Sequence, residues 1–184
     1  MIQKILIANR GEIAIRVMRT CREMGIKTVA IFSEADRLSP HVLYADEAWP
    51  LRGNLSSESY LDIEQITSII KISKADAIHP GYGFLSENTD FAKAITDLGC
   101  IFIGPSSEAI RVMGDKTAAR EAVIDQDVPL IPGSKRAIEN DAEALKDAER
   151  IGYPVLVKAA GGGGGKGMHK VRESKNLLST VQKA

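Results

Sequence analysis

The sequence has few cysteines, no net charge and no long apolar run, and each shortage removes a class of function. Cys21 and Cys100 are the only cysteines, and they lie far apart, without the C-x-x-C spacing of a metal or redox site. Both sit in apolar or amphipathic surroundings, so buried free thiols in a reducing cytoplasm are expected. Lysine plus arginine number 24 and aspartate plus glutamate also 24, so no excess charge draws the chain to nucleic acid or to an anionic membrane. No stretch approaches the roughly 20 apolar residues that span a bilayer. Met1–Ile7 lacks the basic start, long apolar centre and cleavage site of a secretory leader; these residues read as a strand, and on that ground the natural N-terminus is expected there. The turn Asn9-Arg10-Gly11 lacks the Gly-x-Gly-x-x-Gly spacing, which argues against dinucleotide phosphates at that turn. No internal repeat occurs, and the one low-complexity tract is a run of glycines.

What is present builds a core: 44% of the 184 residues are hydrophobic. Lys4–Ala8 is a short apolar run, followed by a glycine turn and an amphipathic stretch through Ile13, Ile15, Val17, Met18 and Cys21. That order predicts strand, turn and helix, with Gly25 ending the helix and Lys27–Phe32 supplying a second buried strand. A loop is expected over Ser33–Arg37, an edge strand over Asp46–Trp49, and a helix from Ser57 to Lys74. Strands at Asp76–His79 and Ile101–Ile103 flank a helix from Asn88 to Leu98. Alternation of this kind predicts an α/β fold with one doubly wound, Rossmann-like parallel sheet, which places ligands at the carboxyl ends of its strands. The turn-rich and aromatic segment Pro80–Asn88 lies at such an end. Beyond Ser106 the character changes: a short helix ends at Gly114, and Asp115 caps the next. We place a domain boundary there, giving residues 1–113 and 114–184. The second part holds an extended, proline-marked Val128–Gly133, a polar helix from Asp141 to Ile151, and a hairpin of Pro154–Ala159 and Met168–Val171 followed by a helix from Ser174.

The tip of that hairpin carries Gly161–Gly165, framed by Lys158 and Lys166. Glycines allow positive φ and close backbone approach, so consecutive amide N–H groups can face phosphate oxygens. A flexible linker is the competing reading, but linkers of that kind carry serine or proline and are not flanked by β-type sequence. A phosphate-covering loop is expected.

Five segments together carry a resemblance. Ile7–Ile13, Ala77–Asn88, Phe102–Pro105, Met113–Lys116 and Lys158–Met168 resemble, in order and in spacing, the N-terminal part of biotin carboxylase, the ATP-grasp component shared by acetyl-CoA, propionyl-CoA and pyruvate carboxylases. The resemblance covers essentially the whole chain and implies a pre-ATP-grasp domain followed by an incomplete ATP-grasp domain. It further implies ATP-dependent carboxylation of biotin on a carrier domain, with bicarbonate as carbon source, carboxyphosphate as intermediate and Mg2+ or Mn2+ on the phosphates. A biotin carboxyl carrier domain, a carboxyltransferase component and a second copy of the enzyme are the implied partners, in the cytoplasm.

Through the same resemblance, Lys116 and Lys158 match ATP-binding lysines, Gly163, Gly164 and Gly165 the loop backbone over the phosphates, and Met168 an adenine-side apolar contact. Lys166 stands where many relatives carry arginine, keeping the charge without the planar fork. Spacing alone makes Lys116 an ordinary surface lysine at a helix start. Tyr82 and Gly83 are implied on the biotin side, although Tyr82 also reads as a buttress of its loop. Glu87 reads either as orienting groups in the cleft or as capping the helix at Asn88. Arg16, Arg19 and Glu23 share one helical face, solvated by default and a dimer surface by resemblance. His79 reads as a packed or backbone-bonded histidine. No catalytic or metal-binding residue is expected within this chain, because the family carries those later; the chain alone is expected not to turn over, with its glycine lid disordered. Two rivals remain: another ATP-grasp ligase, such as a carbamoyl-phosphate synthetase or purine-pathway carboxylase, and a noncatalytic nucleotide-binding or dimerisation module.

Overall fold

The computed structural model describes residues 1–124, 126, 128–134, 136–159 and 167–183. The chain divides into two compact units, Met1–Arg111 and Val112–Ala184, and each is described by itself.

In the first unit, β1 (Lys4–Ile7) leads through α1 (Gly11–Glu23) to β2 (Lys27–Phe32), and α2 (Pro40–Tyr44) leads to β3 (Glu47–Pro50). Helix α3 (Ile63–Ser73), β4 (Ala77–His79), α4 (Thr89–Asp97), β5 (Ile101–Phe102) and α5 (Ser107–Gly114) follow, the division between units falling within α5. All five strands are parallel, in the order β3-β2-β1-β4-β5. The order reverses between β1 and β4, so the carboxyl ends of these two strands flank the switch point where such sheets hold ligands.

Strand alternation divides the core into two layers. Leu6, Val29, Ile31 and Ile78 pack with Ile66 and Ile70 of α3 and with Phe91 and Ile95 of α4. Ile5, Ile7, Ala30 and Ala77 pack with Ala14, Met18 and Cys21 of α1. The two free cysteines are both buried, one in each layer. Asp76 joins the amino ends of β1 and β4, its carboxylate accepting the backbone N–H groups of Gln3 and Lys4 at 2.8 and 2.9 Å.

Two expectations are corrected, and one element had no forecast. The helix foreseen from Ser57 begins at Ile63, because Asp62 caps it, accepting the Gln65 N–H at 3.0 Å; Ser56–Glu58 form a separate 3-10 turn. Helix α2, started by Pro40, was not foreseen: five residues are too few to show a helical period. At α4 the cap is the Asn88 carboxamide, which accepts the Phe91 N–H at 2.8 Å, and not Glu87.

In the second unit, α6 (Lys116–Val123) is opened by Asp115, which accepts the Ala118 N–H at 2.7 Å. Helix α7 (Asp141–Ile151) is capped by Asn140. Strands β6 (Val155–Lys158) and β7 (Met168–Val171) form an antiparallel pair, and α8 (Leu177–Val181) follows. Ala144 and Ala148 of α7, Val155, Val171 and Leu177 make a small core on one face of this pair.

Candidate functional site

At the switch point the segment after β4 must turn sharply, and it does so with left-handed backbone at Gly81, Gly83 and Phe84. Glycine adopts such angles freely, whereas at Phe84 the bulky side chain makes φ +44° unfavourable unless its surroundings fix it. The Phe84 ring stacks on Tyr60, with ring centroids 5.1 Å apart and planes 11° from parallel.

Tyr60 is itself anchored. Its hydroxyl donates to Asp36 at 2.7 Å and accepts the Ser33 N–H at 3.1 Å. Arg10, just beyond β1, grips the Asp36 carboxylate with two donors, Nε at 2.6 Å and Nη2 at 2.5 Å. After the Tyr60 hydroxyl and the two Arg10 nitrogens, Ser39 Oγ adds a fourth donor at 3.1 Å. Asp36 is 4% exposed, and the Arg10 hydrogen bonds hold its carboxyl far below the usual carboxylate range against the opposing effect of burial. Burial, reinforced by the hydrogen bond to Asp36, pushes the Tyr60 phenol up to about 12.

A second anchor comes from Asn9, 4% exposed and two residues beyond β1. Its Nδ2 donates to the carbonyl oxygens of Pro80 and Tyr82, both at 2.8 Å, while its Oδ1 accepts the Arg10 N–H at 2.9 Å. A Cβ on Gly81 would lie 2.7 Å from Asn9 Nδ2, so this position requires glycine for space as well as for φ +66°. The His79 ring is backbone-bonded, Nδ1 accepting the Gly81 N–H at 3.0 Å, and burial lowers its pKa. Tyr82 stands 63% exposed, its hydroxyl donating to Glu12 at 2.7 Å.

In the second unit, Lys158 of β6 stands directly opposite Met168 of β7, so both project from the sheet face away from the α7 packing. Leu156, 50% exposed, and Lys170 form the next pair on that face. Lys116 Nζ lies 3.3 Å from the Ala159 carbonyl oxygen, at the end of β6. The ladder continues one step, Ala159 N–H donating to Gly167 O at 3.1 Å; Gly167 has φ +73°, and a Cβ there would meet that of Ala159 at 3.0 Å. The hairpin therefore sets lysines and apolar side chains around the base of the glycine segment.

A model of the biotin carboxylase N-terminal domain matches residues 1–110. The chain belongs to the biotin carboxylase family. A model of the ATP-binding domain of the carbamoyl-phosphate synthase L chain matches residues 115–184. Biotin carboxylase 1 of Bacillus subtilis is 50% identical over 182 residues, covering 99% of this chain and 40% of the relative. The Haemophilus influenzae biotin carboxylase is 50% identical as well, covering 98% and 41%. Among solved structures, a biotin carboxylase–β-γ-ATP complex from Campylobacter jejuni superposes with TM-score 0.93 at 47% identity, covering all of this chain and 41% of that one. The biotin carboxylase domain dimer of Hydrogenobacter thermophilus 2-oxoglutarate carboxylase, solved with MgADP, ADP and bicarbonate, gives 0.91 at 44% identity, covering 100% and 40%. The chain thus spans about 40% of the length of these biotin carboxylase relatives.

Against this family, the residues singled out from sequence fall in three places. Tyr82 and Gly83 lie on the switch-point loop, and Lys116, Lys158 and Met168 around the hairpin base. Arg16, Arg19 and Glu23 are exposed on α1, opposite its buried Ala14, Met18 and Cys21. Gly163, Gly164, Gly165 and Lys166, with the expected disorder of their lid, lie outside the described residues. Sequence reasoning missed Asn9, Asp36, Tyr60 and Leu156. Leu156 had a usable signal, its period-two spacing from Lys158 on one strand; the others meet only through strand order. Among the described residues no group of three or more His, Cys, Asp or Glu side chains is placed to hold a metal, and no helix is long and apolar enough to cross a membrane.

Proposed function

We propose that these residues form the N-terminal part of a biotin carboxylase, a cytoplasmic ligase that uses ATP and bicarbonate to carboxylate carrier-bound biotin through carboxyphosphate. The observation that carries the reading is the pairing of Lys158 with Met168 across the hairpin, with Lys116 reaching the Ala159 carbonyl beside it. Two cations at the base of a glycine segment suit the phosphates of a nucleotide, and the apolar Met168 and Leu156 suit its base. In this reading Gly163, Gly164, Gly165 and Lys166 cover the phosphates, and Mg2+ or Mn2+ neutralises them when bound. Catalysis in phosphoryl transfer rests on positioning and charge neutralisation, which these lysines supply in part.

The domain division is placed near Gly114, with residues 1–113 shaping the biotin side and 114–184 opening an ATP-grasp domain. Tyr82 and Gly83 face biotin. The exposed α1 face with Arg16, Arg19 and Glu23 contributes to a homodimer, and a biotin carboxyl carrier domain and a carboxyltransferase complete the system. With 40% of the relatives' length, these residues by themselves do not turn over. In the intact enzyme, Lys116→Ala and Lys158→Ala each raise the KM for ATP by roughly tenfold, the loss of a charged phosphate contact. Unchanged ATP kinetics in both variants removes the assignment.

A further inference from the structure

We propose that Asn9 is the positioning residue of the biotin-side loop: its single carboxamide nitrogen fixes the backbone on both sides of Gly81, and thereby the place of Tyr82 and Gly83. The inference rests on the reading that this loop faces biotin. Both groups before the Asn9 nitrogen are carbonyls, those of Pro80 and Tyr82, each 2.8 Å away, and the group before its oxygen is the Arg10 N–H at 2.9 Å. Donor and acceptor ends are therefore assigned by their partners, and no other orientation satisfies them. At 4% exposure the side chain gains nothing from water, so loss of the donors leaves two carbonyl oxygens without their partner.

The geometry also gives Asn9 a task that packing alone does not explain. Residues 81, 83 and 84 all hold positive φ, a backbone that relaxes unless tied down. The stack on Tyr60 fixes the loop at Phe84, the His79 ring holds the Gly81 N–H, and Glu12 holds only the tip of the Tyr82 side chain. Among the described residues Asn9 alone bonds the main chain of Tyr82, from two residues beyond β1 and across the switch point. Because β1 is the central strand, the loop inherits the position of the most buried part of the sheet.

The test uses the intact enzyme, with free biotin and ATP varied separately. Asn9→Asp keeps the shape and the acceptor for the Arg10 N–H but presents oxygen to two carbonyl oxygens; Asn9→Ala removes both. We expect both to raise the KM for biotin roughly tenfold, as two lost neutral hydrogen bonds imply, with the KM for ATP within about twofold of the parent. Asp gives no rescue over Ala, whereas a packing role would be restored by the isosteric Asp. Gly81→Ala, whose Cβ displaces the same nitrogen, reproduces the biotin effect and serves if the Asn9 variants fold poorly. Folded Asn9 variants or Gly81→Ala with an unchanged KM for biotin overturn the proposal while leaving the enzyme assignment intact. An intact parent that binds ATP but carboxylates no biotin overturns the functional reading, and this inference with it.

Discussion

Removing the Arg10 side chain isolates a charge inside the first unit, and the size of the effect follows from the geometry. Asp36 is 4% exposed and accepts two donors from Arg10. Hydrogen bonds to charged groups are worth about 1.5–3 kcal/mol each, so two would amount to roughly 3–6 kcal/mol. The Arg10 side chain is 48% exposed, and solvent there screens the pair, which brings the expected loss in Arg10→Ala to about 2–3 kcal/mol. Its pH dependence has a definite sign. In the parent the Asp36 carboxyl is depressed below its unfolded value, so its contribution is complete above roughly pH 4 and is lost as pH falls further through the folded pKa. In the variant the Arg10 donors are gone while those of Tyr60 and Ser39 remain, so that pKa rises from its parent value, and the proton that the folded state takes up as pH falls relieves the charge Arg10 had paired. Urea unfolding followed by circular dichroism should therefore show a larger deficit at about pH 7 than at about pH 3.5. In an Asp36→Asn background the Arg10→Ala loss should shrink to under about 1 kcal/mol, since no buried charge remains to be stranded. A deficit below about 1 kcal/mol at neutral pH, or one equal at both pH values, refutes the reasoning.

Other outcomes follow from the same structure. Tyr60→Phe should cost about 1–2 kcal/mol through the lost O–H donor to Asp36, seen as a lower urea midpoint. The Tyr60 phenol is raised to about 12, so the parent loses stability as pH rises from the unfolded value near ~10 through 12, and the Phe variant should lack that alkaline limb. Leu6→Ala, in the centre of β1 and fully buried, should lower unfolding stability by about 2–5 kcal/mol. Gly167→Ala, placing a Cβ at φ +73° against Ala159, should destabilise the second unit by about 1 kcal/mol or more, and hydrogen exchange at the Ala159 amide reads it directly.

Much of this architecture was legible in the sequence, for local reasons. Lys4–Ala8 and Lys27–Phe32 read as buried parallel strands because they are continuous apolar runs beside glycine turns, and both lie in the centre of the sheet. What escaped depends on distance along the chain. Arg10, Asp36, Tyr60 and Phe84 form one connected network, yet no two are closer in sequence than 24 residues, and only the strand order brings them together. Ser57–Leu61 misled because Leu61 fits the helical period of α3 while Asp62 caps the helix after it. Lys116 carries no local signal at all; its place beside Ala159 depends on the hairpin fold.

The two cysteines turn the layered core into a pair of built-in gauges. Cys21 lies on the buried face of α1 in one layer with Ile5 and Ile7, and Cys100 lies in the opposite layer with Phe91 and Phe102. Burial raises both thiols above their ordinary pKa, so neither reacts readily while its layer is closed. A thiol-specific label on single-cysteine variants would thus time the opening of each side of the sheet separately, without any residue added to the chain.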